Sequence, residues 1–147
     1  MSRRMTTAHT VLLGLIKAST WSVQPPITLS LDEDPQPDAP GALPLAWTDG
    51  RSVHVTANSS LVNNLDESLW FLALVGMAMH EIGHILWTDS AAFSQAIQSW
   101  AGTYPGLPQG VWHSFIDGLE DARVNWRGIR QWPGRPAQAL RFIYRNM

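Results

Sequence analysis

Apolar residues recur at helical spacing over most of the chain, and they predict several helices. The segment 65–79 is apolar nearly all round and contains no proline, which is typical of a buried helix. A stretch rich in proline and glycine at 103–110 predicts a loop. The predicted helices cover residues 5–20, about 65–88, about 90–101, about 111–127 and a short segment after Pro133-Gly134-Arg135-Pro136.

Two regions show the shorter period of strands. Apolar and polar residues alternate at 27–31, and this pattern predicts one strand. Apolar residues at 45–47 and 51–56 flank the turn signal Thr48-Asp49-Gly50, and this arrangement predicts a β-hairpin. The segment 32–44 is rich in proline and acid, so it is expected to form a surface loop. Helices and a small sheet together predict an α+β fold in a single domain that spans residues 1–147.

The helix expected at 65–88 contains His80-Glu81-Ile82-Gly83-His84, which fits the pattern H-E-x-x-H. Residues four apart share one face of a helix, so His80 and His84 can bind one metal ion together. In this pattern a zinc ion activates a water molecule, and Glu81 is placed to act as the general base. A charged glutamate in an apolar helix is costly without a cation nearby. The motif therefore predicts a zinc-dependent hydrolase, most simply a peptidase.

A catalytic zinc ion usually has three protein ligands, and the chain has no cysteine. The third ligand must then be a histidine or a carboxylate, and His113, Asp117 and Glu120 share one face of a later predicted helix. Glu120 is favoured because its side chain is long and Arg123 is placed to steady it. Asp117, oriented by Asp121, and His113 are the alternatives.

Peptide hydrolysis passes through an intermediate with a negatively charged oxygen, which needs a stabilising group besides the metal. His113 and Arg123 are the candidates for that catalytic role. If the strand at 53–56 lies at the edge of the sheet, it can pair with an extended peptide substrate.

With these residues in place, the chain resembles the gluzincin metallopeptidases, and it is nearest in size to the minigluzincins. Thr48-Asp49-Gly50, the segment HEIGHILWTD and Glu120-Asp121-Ala122-Arg123 also resemble metallopeptidase domains of bacteria and phages, some of which precede a von Willebrand-type domain. The resemblance covers about residues 45–127 and implies a zincin-like fold with Glu120 as the third ligand. Gluzincins often place an acid four residues after that glutamate, where this chain has Val124. The role of orienting a histidine would then pass to Asp89, Asp117 or Asp121.

Charge is divided unevenly along the chain, whose net charge is −2. Residues 1–122 contain 4 basic and 12 acidic side chains, whereas residues 123–147 contain six arginines, no acid and several aromatic residues. Arginine interleaved with aromatic residues is typical of some nucleic-acid surfaces. The favoured interpretation is nevertheless a basic tail, at about 128–147, that packs on the acidic part of the same domain.

The absence of cysteine fits a reducing cytosol, and no apolar run is judged long enough to span a bilayer. We therefore expect a cytoplasmic protein that acts on a peptide or protein substrate and does not bind membranes. Two alternatives remain. One is a protease that the arginine-rich C-terminus recruits to nucleic acid, and the other is a catalytically silent zincin-like module for binding or assembly.

Overall fold

The structure, a computed structural model, describes residues 3–32, 45–57, 62 and 64–146. Its described elements are five helices and three strands, which confirms the α+β class. In chain order they are α1 (Arg3–Ser19), β1 (Thr28–Asp32), β2 (Ala46–Thr48), β3 (Ser52–Thr56), α2 (Glu67–Trp87), α3 (Ser90–Thr103), α4 (Gln109–Gln131) and α5 (Arg135–Asn146). The loop predicted at 32–44 lies almost entirely outside the described residues.

The three strands form a mixed sheet in the order β1-β3-β2. The predicted hairpin is confirmed, since β2 and β3 pair antiparallel around the turn. Asp49 closes that turn because its Oδ1 accepts hydrogen bonds from the backbone N–H groups of Arg51 (2.8 Å) and Ser52 (2.7 Å). β3 also pairs parallel with β1, so it is the central strand and cannot take up a substrate strand. Within the described sheet, β2 is an edge strand.

Helix α2 forms the centre of the molecule. Asp66 caps its N-terminus by accepting a hydrogen bond from the backbone N–H of Leu69. α2 contacts α1, α4, α5 and the sheet. By length and composition alone α2 could also cross a membrane, but most of its apolar stretch is buried within the fold.

The basic C-terminal segment is an integral part of the fold rather than a loose tail. α4 continues one turn beyond its predicted end, and α5 follows after a turn at Gly134. α5 buries Leu140 and Ile143 in the core against α2 and α4. At Gly76 of α2, an added Cβ would lie 2.6 Å from the backbone oxygen of Ala139, so only glycine allows α2 and α5 to approach this closely.

Candidate metal centre

Three side chains converge between α2 and α4. His80 and His84 project from one face of α2, and their Nε2 atoms lie 3.2 Å apart. Asp121 of α4 faces them, with its Oδ1 3.0 Å from Nε2 of His84 and 3.5 Å from Nε2 of His80. The local geometry follows directly from the i, i+4 spacing of the histidines, which the sequence predicted.

The separations between these atoms fit a tetrahedral zinc site. Zinc binds nitrogen and oxygen ligands at about 2.0–2.1 Å, so two ligands of one tetrahedron lie roughly 3.3–3.4 Å apart. The observed separations are 3.0, 3.2 and 3.5 Å. Imidazole and carboxylate ligands suit zinc, whereas an all-oxygen set would favour calcium or magnesium. The donor set and its spacing therefore fit the expected Zn²⁺.

Hydrogen bonds to the outer ring nitrogens fix both imidazoles. Thr88 donates its hydroxyl proton to Glu120 at 2.6 Å, so its oxygen accepts from Nδ1 of His84 at 3.0 Å. Nδ1 of His80 lies 2.9 Å from Oδ1 of Asn125, an amide oxygen that accepts its proton. With Nδ1 protonated, each neutral ring directs the lone pair of Nε2 toward Asp121. A single proton could bridge only two of the three electron-donating atoms, which are the two Nε2 atoms and Oδ1 of Asp121. One metal ion could accept electron pairs from all three.

Glu120, the favoured third ligand, does not join the two histidines. Its carboxylate forms a bidentate pair with Arg123, at 2.5 and 2.6 Å, and accepts the hydroxyl proton of Thr88. Arg123 also donates to the backbone oxygen of Trp87 at the end of α2. The residue of α4 that faces the two histidines is the neighbouring Asp121, which the sequence had suggested only as an orienting group.

The rotation of α4 about its axis explains this difference. Successive residues of a helix are turned by about 100°, so Glu120 and Asp121 face different neighbours. Gly83 lets the two helices pack closely, because a Cβ at that position would collide with Val124 of α4. At this short separation the aspartate reaches the histidines, and the longer glutamate is directed past them toward Thr88.

The remaining candidates lie elsewhere. His113 is exposed on α4 and makes an edge contact with Phe93 of α3, so it does not face the histidine pair. Arg123 is likewise outside the cavities around that pair. Asp89 caps the N-terminus of α3 through the backbone N–H groups of Ala91 and Ala92. Neither His113 nor Arg123 is placed for the catalytic role expected of them.

Two residues that support the histidines were not predicted from the sequence, namely Thr88 and Asn125. Asn125 follows Asp121 by four residues, which places both on one face of α4. Val124 is four residues after Glu120, whereas Asn125 is four residues after Asp121. The spacing therefore identifies Asn125 once the ligand is known.

Burial and charge shift the titration of the central groups. Burial lowers the pKa of His80, but the Asp121 hydrogen bond, the Glu81 charge and the Asn125 hydrogen bond together raise it overall. Burial also opposes ionisation of Asp121, yet without a metal ion the protonated imidazoles of His80 and His84 would donate to it and bring its pKa well below the usual range. The pKa of Glu81 is raised, chiefly because its side chain is buried. Asp121 therefore favours its ionised form, whereas Glu81 holds its proton more tightly than an exposed glutamate would.

Two open cavities meet at the metal centre and share Ala46, His80, Glu81 and Asp121. The first, of about 610 Å³, extends along β2 and the hairpin turn and is lined by polar groups that include Asp49 and Asp117. The second, of about 480 Å³, extends toward α5 and is lined by Leu45, Met77, Ile143 and Tyr144 among others. The two together form a cleft in which Glu81 and His80 line both cavities, while His84 lines only the first.

Comparisons of the chain with known protein families, with curated proteins and with solved structures found no match. The function of the cleft is therefore inferred from its own geometry and chemistry.

Proposed function

We propose that the protein is a zinc-dependent metallopeptidase of zincin-like type, in which His80, His84 and Asp121 hold the metal ion. The observation that carries the proposal is the convergence of two oriented Nε2 atoms and one carboxylate oxygen at tetrahedral spacing. Asp121 replaces Glu120 in the ligand set that the sequence suggested. When bound, zinc would polarise the substrate carbonyl and lower the pKa of a water molecule beside it.

Glu81 supplies the acid–base function in this proposal. It follows the first ligand by one residue, lines both cavities and forms no hydrogen bond or ion pair with any other described residue. A carboxylate whose pKa is raised by burial is a better base than an exposed one, because its proton affinity lies nearer to the working pH. Glu81 accepts a proton from the attacking water and passes it to the leaving amine.

The cleft suits an extended peptide. β2 has a partner on one side only within the described sheet, and Ala46, Trp47 and Thr48 line the cavity beside the histidines. A peptide that pairs with this edge would run past Glu81 and the metal ligands, with main-chain hydrogen bonds holding the scissile bond in place. β2 thus takes the role that the sequence had suggested conditionally for the strand at 53–56.

Metal analysis of three charge-matched variants tests the ligand assignment. Asp121→Asn and Glu120→Gln each remove one negative charge at adjacent positions of α4, while Glu81→Gln removes the base. We expect Asp121→Asn to weaken zinc binding more than tenfold, since even outer-sphere changes cost roughly 10–100-fold. Glu120→Gln should retain most of the zinc, because its amide oxygen still accepts from Thr88. Competition with a chromophoric chelator measures each affinity.

Glu81→Gln separates metal binding from catalysis. This variant should bind zinc like the wild type and cleave no member of a fluorogenic peptide library that the wild type cleaves. Full zinc affinity in Asp121→Asn, with loss in Glu120→Gln, would restore Glu120 as the ligand. Zinc bound by the wild type without turnover of any peptide would instead support the silent binding module.

A further inference from the structure

Five arginines form an exposed basic surface on the C-terminal part of α4 and on α5. None of the five makes an ion pair with a carboxylate among the described residues, whereas Arg123 is held by Glu120. The segment thus packs on the same domain, as the favoured interpretation expected, but within the described residues no carboxylate pairs with these five side chains. This arginine surface consists of Arg127, Arg130, Arg135, Arg141 and Arg145.

Large aromatic side chains lie exposed on the same pair of helices. Trp126 is 60% exposed and Tyr144 is 66% exposed, which is unusual for residues with so much apolar area. The guanidinium of Arg130 lies over the ring of Trp126, 4.7 Å from its centre. Tyr144 lines the smaller cavity together with Ala122 and Asn125, so the end of α5 lies beside the middle of α4. Exposed rings and positive charges thus occur together on this pair of helices.

The positive surface continues onto α1. Arg135 lines a groove of about 570 Å³ together with Arg3 and Arg4, in which Glu67 contributes one negative charge. Arginine is suited to phosphate because its planar guanidinium donates two parallel hydrogen bonds. A chain of phosphates with unpaired bases would match both features of the surface, since the phosphates meet the arginines and the bases stack on the exposed rings.

We propose that the arginine surface, with Trp126 and Tyr144, binds single-stranded nucleic acid. A duplex would satisfy the arginines but leave the aromatic rings without bases to stack on, whereas a single strand uses both the charges and the rings. Because Tyr144 also borders the cleft, a strand bound here lies next to the metal centre. The proposal stands on different residues from the peptidase proposal, so either can hold without the other.

Fluorescence anisotropy with a labelled oligothymidylate of about 15 nucleotides tests the binding, a length within the span of known single-strand sites. The paired variant Arg141→Gln/Arg145→Gln is compared with Lys17→Gln/Arg51→Gln, which removes the same charge elsewhere on the molecule. We expect the first pair to weaken binding at least tenfold. It should also reduce the slope of log K against log salt concentration by about 0.7 for each phosphate that the protein no longer neutralises. The control pair should bind like the wild type.

Trp126→Ala and Tyr144→Ala test the stacking. Each should weaken binding about fivefold or more while leaving the salt slope unchanged, because a ring carries no charge. Absence of salt-dependent binding by the wild type would overturn the proposal. Equal losses in the two paired variants would do so as well. A duplex that binds as tightly as the single strand, or polyglutamate that binds as tightly as the oligonucleotide, would overturn the assignment of the partner.

Discussion

Thr88 shows how single side chains determine the chemistry of the cleft. A hydroxyl has one proton, and Thr88 gives it to the ionised carboxylate of Glu120, which can only accept. The oxygen of Thr88 must then accept from His84, which fixes the ring nitrogen that faces the metal site. The pKa of Glu120 is lowered, first by its hydrogen bond to Arg123, so this carboxylate remains an acceptor over a wide pH range.

Replacing Thr88 by valine therefore tests whether its hydrogen bond to His84 affects zinc binding, although Thr88 itself is not a proposed ligand. Valine keeps the branched shape but removes the hydroxyl, so His84 loses its partner at Nδ1. We expect zinc affinity to fall roughly 10–100-fold, measured by chelator competition. Thr88→Ser, which retains the hydroxyl, should bind zinc nearly as tightly as the wild type. Equal affinity in the valine and serine variants would show that the hydroxyl does not orient the ring.

The residues of the site were predictable where their relation is local. His80, Glu81 and His84 lie within one helical turn, so their placement follows from helix geometry alone. The choice between Glu120 and Asp121 depends on how α4 is rotated against α2, and that rotation is a property of packing. Side-chain length, on which the expectation for Glu120 was based, did not decide it.

At the scale of elements, the helices and the hairpin were predictable because apolar spacing and turn residues act over a few positions. The parallel pairing of β1 with β3 was not, since it joins segments more than twenty residues apart and leaves β2 at the edge. The closeness of α2 and α4 has a specific source, namely the contact of Gly83 with Val124.

Gly83→Ala tests the importance of this helix contact. The new methyl group would collide with Val124, and overpacking of this kind costs about 1–3 kcal/mol. We expect a lower midpoint in chemical denaturation with an unchanged slope. Gly14→Ala is the matched control, because Gly14 is a helical glycine of α1 with nothing within 4 Å of the added Cβ. Alanine there should stabilise the protein by about 0.5–1 kcal/mol.

Shortening the opposing residue completes this test. Val124→Ala alone should destabilise because Val124 is buried, but in combination with Gly83→Ala the two changes should partly compensate. Strictly additive losses in the double variant would mean that the two residues do not share a contact.

At the scale of the whole molecule, the candidate metal centre lies between two helices that are separate in the chain. His80 and His84 belong to α2, which contacts most other elements, while Asp121 belongs to α4, which follows α2 in the chain only after α3. An ion bound by both helices stabilises the folded chain, because the unfolded chain offers no assembled site.

Zinc should therefore raise the melting temperature of the wild type. Zinc at about 1,000 times its Kd stabilises the folded state by about 4 kcal/mol. For a domain of this size that corresponds to roughly 8–16 °C, which differential scanning calorimetry resolves. Removal by a chelator should reverse the shift, and Asp121→Asn should gain at least about 1.4 kcal/mol less than the wild type at the same zinc concentration, because its affinity is at least tenfold lower. An equal response in that variant would mean that zinc binds elsewhere.

Arg123 holds the last turn of α2 through the carbonyl of Trp87, three residues beyond His84. Helix ends otherwise fray, and fraying here would move a ligand. Asn125 and Thr88 also fix the two rings. The conformational entropy of these side chains is therefore lost during folding, and little more is lost when an ion binds. Capture of zinc would then proceed without reorganisation of the backbone, at a rate set by how quickly the hydrated ion exchanges its own water molecules.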